Sequence, residues 1–170
     1  MSAFRDRKVF EQLRVDPYYC RVQQRRPEVA GAVALLIDEL RTRSEALCHG
    51  DFSPKNLLVH SQGLTLVDYE TAHLGDPAMD LGFIFSHLVL KTVKHDRRRE
   101  EYLSLSVAAW RGYLAEARFR PATELVRRGI GHLGVCLLAR IDGTSPVEYL
   151  TEEPRREAVR RLGRKRASAK

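Results

Sequence analysis

Apolar residues recur at helical spacing over most of this chain, and the pattern changes to short strand-like runs only near its middle. Two such runs, 56–60 and 64–69, flank Ser61-Gln62-Gly63 and predict a β-hairpin with a glycine-containing loop. Helices are predicted over 27–44, 78–91, 98–118, 123–141 and 152–162. The predicted fold is therefore mainly α-helical, with one small hairpin.

The predicted helix 78–91, AMDLGFIFSHLVLK, is almost wholly apolar, so we expect it to be buried on most sides. Asp80, near its start, is the exception. Because an unpaired buried carboxylate is costly, Asp80 should accept hydrogen bonds from backbone N–H groups.

Composition narrows the class of protein. The 170 residues are 44% hydrophobic and 30% charged, which is typical of one soluble globular domain. No apolar run has the length of a membrane span, and MSAFRDRKVF lacks the apolar stretch of a secretory signal. We therefore expect a cytoplasmic protein with no membrane partner.

The net charge of +7 raises the question of nucleic-acid binding. The basic residues concentrate in 94–99 and in 155–170, without interleaved aromatic residues that could stack on bases. A solvated, arginine-rich surface explains this pattern, so we expect no specific nucleic-acid partner.

The candidate chemistry lies around CHGDFSPKNLLV, residues 48–59, and the LTLVD strand that follows. Asn56 begins the first strand of the hairpin and Asp68 ends the second, so an amide oxygen and a carboxylate should lie close together. Mg²⁺ prefers a few hard oxygen ligands of this kind and keeps phosphates and water for the rest. Asp51, in the preceding loop, could face the same space and accept the proton of an acceptor hydroxyl.

These motifs resemble the aminoglycoside phosphotransferase family, a kinase-like group that includes choline, methylthioribose and homoserine kinases. The family's catalytic loop reads H-G-D with an Asn five residues after the Asp, as His49-Gly50-Asp51 and Asn56 do. Its metal-binding Asp follows a strand about a dozen residues later, like Asp68, and its G-D-P-x-x-D-L-G stretch matches 75–82. The match is strongest over 46–86.

The resemblance implies a protein-kinase-like C-terminal lobe over 1–163, with the site at 47–82 and a basic tail at 164–170. It implies that Asp51 is the catalytic base and that Asn56 and Asp68 bind Mg²⁺ and, through it, the ATP. His49 and Asp80 would have structural roles. The reaction implied is ATP-dependent phosphotransfer to a hydroxyl of a small molecule, and the acceptor stays open.

Only 48 residues precede His49, and they predict an extended start plus one helix, without a Gly-rich loop or a strand lysine. The N-terminal nucleotide-binding lobe of such a kinase is thus absent from this sequence. The chain could be part of a longer kinase, half of a split enzyme whose other lobe is a second chain, or a stand-alone binding or scaffolding module without catalysis. For the chain alone we expect little or no kinase activity.

Overall fold

The computed structural model describes residues 2–168, most of which are helical. The α-helices are α1 (Lys8–Phe10), α2 (Arg21–Arg25), α3 (Ala30–Thr42), α4 (Pro77–Lys94), α5 (Arg99–Glu116), α6 (Ala122–Asp142) and α7 (Glu153–Ala167). The strands are β1 (Ala46–Cys48), β2 (Leu57–His60), β3 (Gly63–Leu66) and β4 (His73–Gly75). Over this described part of the chain, no helix is both long and apolar enough to cross a membrane.

The predicted hairpin is confirmed. Strands β2 and β3 are antiparallel, with Leu57 opposite Leu66 and His60 opposite Gly63. A second antiparallel sheet, formed by β1 and β4, was not predicted, so the fold has two small sheets rather than one hairpin. Each strand of this second sheet has three residues, too few for an alternating pattern to show in the sequence.

The core lies between α4, α6 and the helices that precede β1. One apolar cluster joins Val15, Val33, Met79 and Leu138, which come from four different helical segments. A second cluster joins α4 and α6 to α7. Helix α4 is buried along most of its length, as its apolar sequence predicts. It also contacts β1, the strand that leads into the loop before the hairpin.

The prediction of an extended start was wrong, because residues 8–25 are helical throughout. Between α1 and α2 lies a π-helical segment, Glu11–Cys20, which contains Pro17. The proline and several charged residues obscure the helical spacing in the sequence. Phe10, Val15 and Tyr19 are nevertheless fully buried and belong to the main core.

Helix α5 is more peripheral than its sequence suggests. The sequence predicts an inward face for this helix, made of Tyr102, Val107, Trp110, Tyr113 and Leu114. None of the residues of α5 is buried, and Val107 is 49% exposed. The aromatic side chains of α5 are therefore only partly covered, and the helix lies at the margin of the core.

The predicted basic tail at 164–170 is helical as far as Ala167. Gly163 and Ala167 are buried against α6, where Gly134 leaves room for the α7 backbone. Residues 169–170 lie outside the described range. The basic composition of this segment thus reflects an amphipathic helix, with its charges on the outer face.

Candidate active site

The loop 48–56 leaves β1 and turns sharply at Gly50, whose φ is +78°. A Cβ at this position would lie 2.7 Å from the carbonyl oxygen of Thr71. Both the backbone conformation and the space therefore require glycine. The Thr71 hydroxyl donates a hydrogen bond to the His49 carbonyl at 2.9 Å, which fixes the loop against the segment after the hairpin.

Asp80, in the first turn of α4, binds the backbone of this loop through its carboxylate. Its carboxylate accepts hydrogen bonds from the backbone N–H of His49 at 2.7 Å and of Gly50 at 2.9 Å, so the predicted contact is present. Burial raises the pKa of Asp80, while these two hydrogen bonds act in the opposite direction. The start of a helix also favours a carboxylate electrostatically. Asp80 thus ties the position of the loop to α4.

His49 connects the loop to the strand that precedes Asp68. Its Nδ1 accepts a hydrogen bond from the backbone N–H of Asp51 at 3.1 Å. Its Nε2 lies 2.9 Å from the carbonyl oxygen of Val67, so these partners assign the proton to Nε2. With both nitrogens engaged and the side chain buried, His49 is placed for the structural role that the resemblance implies.

Asp51 lies in a shell of hydrogen-bond donors and is only 4% exposed. The Asn56 Nδ2 donates to the Asp51 carbonyl at 2.9 Å and to its Oδ2 at 3.0 Å. Two cations also contact the carboxylate: Arg14 Nη2 lies 2.9 Å from Oδ1, and Lys55 Nζ lies 3.0 Å from Oδ2. The carboxylate is therefore held in one orientation by three side chains.

Asn56 and Asp68 lie at the same end of the hairpin. The Asn56 carbonyl accepts a hydrogen bond from the Val67 N–H at 3.0 Å, which extends the β2–β3 pairing to the residue before Asp68. Because the Asn56 amide nitrogen faces Asp51, its amide oxygen is directed away from that residue. Asp68 is exposed and has a φ of +70°, a strained conformation for a residue other than glycine.

Arg14 is the site residue that sequence reasoning missed. It lies in the π-helical segment, and its Nε donates to the carbonyl of Gly50 at 2.9 Å, in addition to the ion pair with Asp51. Its guanidinium also lies 5.6 Å from the centroid of the Phe83 ring. No local motif marks this residue, since its partners are distant in sequence and its segment was predicted to be extended.

Other polar residues near the motif lie away from Asp51. His73 is buried and stacks on Phe10 at 3.8 Å between ring centroids. Asp76 caps α4 by accepting a hydrogen bond from the Ala78 N–H at 2.9 Å, and it lies 3.3 Å from Arg128. These contacts are those of structural residues.

An ion pair between the partly buried Glu45 and the buried Arg128 fixes the start of β1. The Glu45 carboxylate accepts two hydrogen bonds from Arg128 of α6, each 2.9 Å long, while its backbone N–H donates to Gly75 at 2.8 Å. The hydrogen bonds from Arg128 lower the pKa of Glu45 to about 2, although burial acts against this shift. The pair therefore holds the strand that leads into the loop.

This ion pair predicts a loss of stability in acid. The folded pKa of Glu45 lies below its unfolded value, so its contribution is present above pH 4.5 and is lost as the pH falls toward 2. Between pH 6 and pH 3 the free energy of unfolding should fall by about 2 kcal/mol through this residue. Urea denaturation at both pH values measures the loss. Glu45→Gln should show a smaller loss, and an equal loss in both proteins would contradict the prediction.

Comparison with models of known protein families identifies a family for this chain. A model of the phosphotransferase enzyme family matches residues 2–103, a range that contains Arg14, Asp51, Asn56, Asp68 and Asp80. The chain belongs to this family, which confirms the assignment made from its motifs. Phosphotransferases of this family generally use ATP and Mg²⁺. No curated protein matches the sequence.

Proposed function

We propose that this chain provides the catalytic loop and the metal site for ATP-dependent phosphotransfer to a hydroxyl of a small molecule. In this proposal the described fold corresponds to the C-terminal lobe of a kinase-like enzyme. The observation that carries it is the Asp51 carboxylate, held by Asn56 at the end of the hairpin where Asp68 also lies. Membership of the phosphotransferase family supports the same reaction class.

Asp51 is the proposed catalytic base. It would orient the acceptor hydroxyl and take its proton as the oxygen attacks the γ-phosphorus and the bond to ADP breaks. Lys55 is 66% exposed, so its ion pair with Asp51 is easily exchanged for a substrate contact. Arg14 is only 12% exposed, so its ion pair with the Asp51 carboxylate is kept when a substrate replaces Lys55.

The residues present fit a magnesium site. Asn56 offers an amide oxygen directed away from Asp51, and Asp68 offers an exposed carboxylate at the same end of the hairpin. Such a pair of hard oxygen ligands suits Mg²⁺, with phosphates and water as the remaining ligands. When bound, the ion would supply positive charge to the phosphates of ATP.

The nucleotide phosphates also need a cover that positions them. The sheets of residues 2–168 have two strands each, and neither resembles the larger sheet that covers ATP in kinases. We propose that an additional lobe or a second chain supplies this cover. A non-catalytic binding module is the alternative, and it predicts no metal-dependent binding of ATP at Asp68.

Metal binding tests the proposal directly. Mn²⁺, observed by electron paramagnetic resonance, should bind the chain weakly and more tightly when ATP is added. Asp68→Asn should weaken Mn²⁺ binding in the presence of ATP by at least about tenfold, since even outer-shell changes at metal sites cost roughly 10- to 100-fold.

Glu70→Gln is the matched control, because Glu70 is exposed, lies two residues after Asp68 and loses the same charge. Its Mn²⁺ affinity should stay close to that of the unchanged protein. Equal weakening in the two variants would show only a general effect of charge. An unchanged affinity in Asp68→Asn would remove Asp68 from the metal site and favour the non-catalytic alternative.

A further inference from the structure

A row of aromatic and basic side chains extends from the catalytic loop along one face of α4. Phe83, His87 and Lys91 are spaced four residues apart and therefore share this face. The Phe83 and His87 ring centroids are 5.2 Å apart, and the Arg14 guanidinium lies 5.6 Å from the Phe83 centroid. Lys91 Nζ lies 4.3 Å from the centroid of the Tyr149 ring. One end of this face therefore lies at Arg14, which contacts the proposed base Asp51.

Arg140 of α6 borders the same face. Its Nη1 donates to the Ser145 carbonyl at 2.6 Å and lies 3.5 Å from the Tyr18 hydroxyl. The Tyr18 ring contacts Phe83, with 5.6 Å between centroids. The Nε of Arg140 is buried and has no hydrogen-bond partner among the described residues.

Several charged side chains act on His87, which lies between Phe83 and Lys91 on this face of α4. Burial lowers the pKa of His87 to about 4, and the nearby charges of Arg140, Lys55 and Lys91 act in the same direction. The charge of Asp51 raises this pKa. His87 is therefore neutral at pH 7, and it lies among three cations and one carboxylate.

The cations of this face differ in their partners. Lys55 and Arg14 are paired with Asp51. Neither Lys91 nor Arg140 has a carboxylate within 4.0 Å anywhere in residues 2–168. Arg160 of α7 differs from them, since it contacts Asp142, Glu153 and Glu157. Lys91 and Arg140 are therefore two cations beside the proposed site that have no carboxylate partner among the described residues.

We propose that the acceptor is a hydroxy compound that also carries an oxyanion, either a carboxylate or a phosphate. The oxyanion would bind between Lys91 and Arg140 while the hydroxyl reaches Asp51. The inference rests on the proposed function and adds a class of substrate to it. Charge-assisted hydrogen bonds from Lys and Arg are the usual means of binding such groups. The same charges repel cationic acceptors such as aminoglycosides and choline.

Equilibrium binding tests this substrate class without requiring turnover. Malate and glycerol 3-phosphate serve as a carboxylate and a phosphate probe, and kanamycin and choline serve as cationic probes, each titrated into the full chain by calorimetry at low salt. At least one anionic probe should bind, and the tighter of the two identifies the oxyanion. Lys91→Gln and Arg140→Gln should each weaken that binding by about tenfold, the loss expected for one charged hydrogen bond.

Arg127→Gln is the matched control, because Arg127 is exposed on α6 and loses the same charge. Its anion affinity should equal that of the unchanged protein. Arg140 also holds the loop at Ser145, so Lys91→Gln is the decisive variant if Arg140→Gln fails to fold. Anion affinity that is equal in Lys91→Gln and Arg127→Gln overturns the proposal, as does binding of kanamycin or choline in place of the anions.

The two proposals fail in different experiments. An ATP-dependent Mn²⁺ affinity that is unchanged in Asp68→Asn contradicts the proposed phosphotransfer site, while a Lys91-dependent anion site would still support the binding part of the inference. If Mn²⁺ and ATP bind as proposed but a cationic probe binds in place of the anionic ones, only the proposed substrate class is contradicted.

Discussion

Asp51→Asn is expected to lower the rate of phosphoryl transfer by about 10²- to 10⁴-fold, the usual contribution of a general base. The amide has nearly the shape of the carboxylate, but it cannot accept the acceptor proton at neutral pH. The chain alone should turn over ATP little, since positioning of the phosphates supplies much of the rate. The comparison is therefore made with a nucleotide-binding lobe joined to or mixed with the chain, in single-turnover transfer from labelled ATP.

Two measurements separate a lost base from a damaged fold. The Asp51→Asn protein should keep its ATP-dependent Mn²⁺ binding, because the proposed metal ligands are Asn56 and Asp68. Asp38→Asn, at an exposed position on α3, should keep full activity. A rate above about a tenth of the original in Asp51→Asn, with normal metal binding, would assign the proton transfer to another group, because a general base contributes more than that.

The parts of the site that could be predicted from sequence are local. Asp51 and Asn56 lie five residues apart in one loop, and the hairpin that brings Asp68 to the same end as Asn56 closes through a short turn. The contact of Asp80 with backbone N–H groups also followed from the sequence, because an apolar helix leaves a carboxylate few other partners. Local spacing and the cost of burial therefore define the centre of the site.

The parts that could not be predicted depend on contacts between distant segments. Arg14 meets Asp51 only because the helical segment 8–25 packs on α3 and α6, and the sequence around Pro17 conceals that helix. Strands β1 and β4 pair across the whole loop and hairpin, with three residues each. The helical end of α7 depends on small residues in α6 that composition does not reveal. Tertiary packing decides these features.

Gly82→Ala is expected to destabilise the protein by about 3 kcal/mol or more, at or above the upper end for overpacking. A Cβ at this position would lie 2.5 Å from the His132 Cβ and 2.6 Å from the Leu133 nitrogen of α6. No change of rotamer moves these atoms, so α4 and α6 would have to separate. Asp80 is two residues away on α4, so the same shift would disturb its hydrogen bonds to the loop 48–56.

Gly112→Ala, in the exposed part of α5, is the matched control, since a Cβ there meets no atom within 4 Å. It should stabilise the protein by about 0.5–1 kcal/mol, because alanine favours a helix over glycine. Urea denaturation measures both variants. Gly82→Ala should also weaken ATP-dependent Mn²⁺ binding under conditions where it stays folded, because the loop that holds Asn56 depends on α4. If both substitutions are equally well tolerated, α4 and α6 are not in close contact at Gly82, and α4 does not fix the position of the loop.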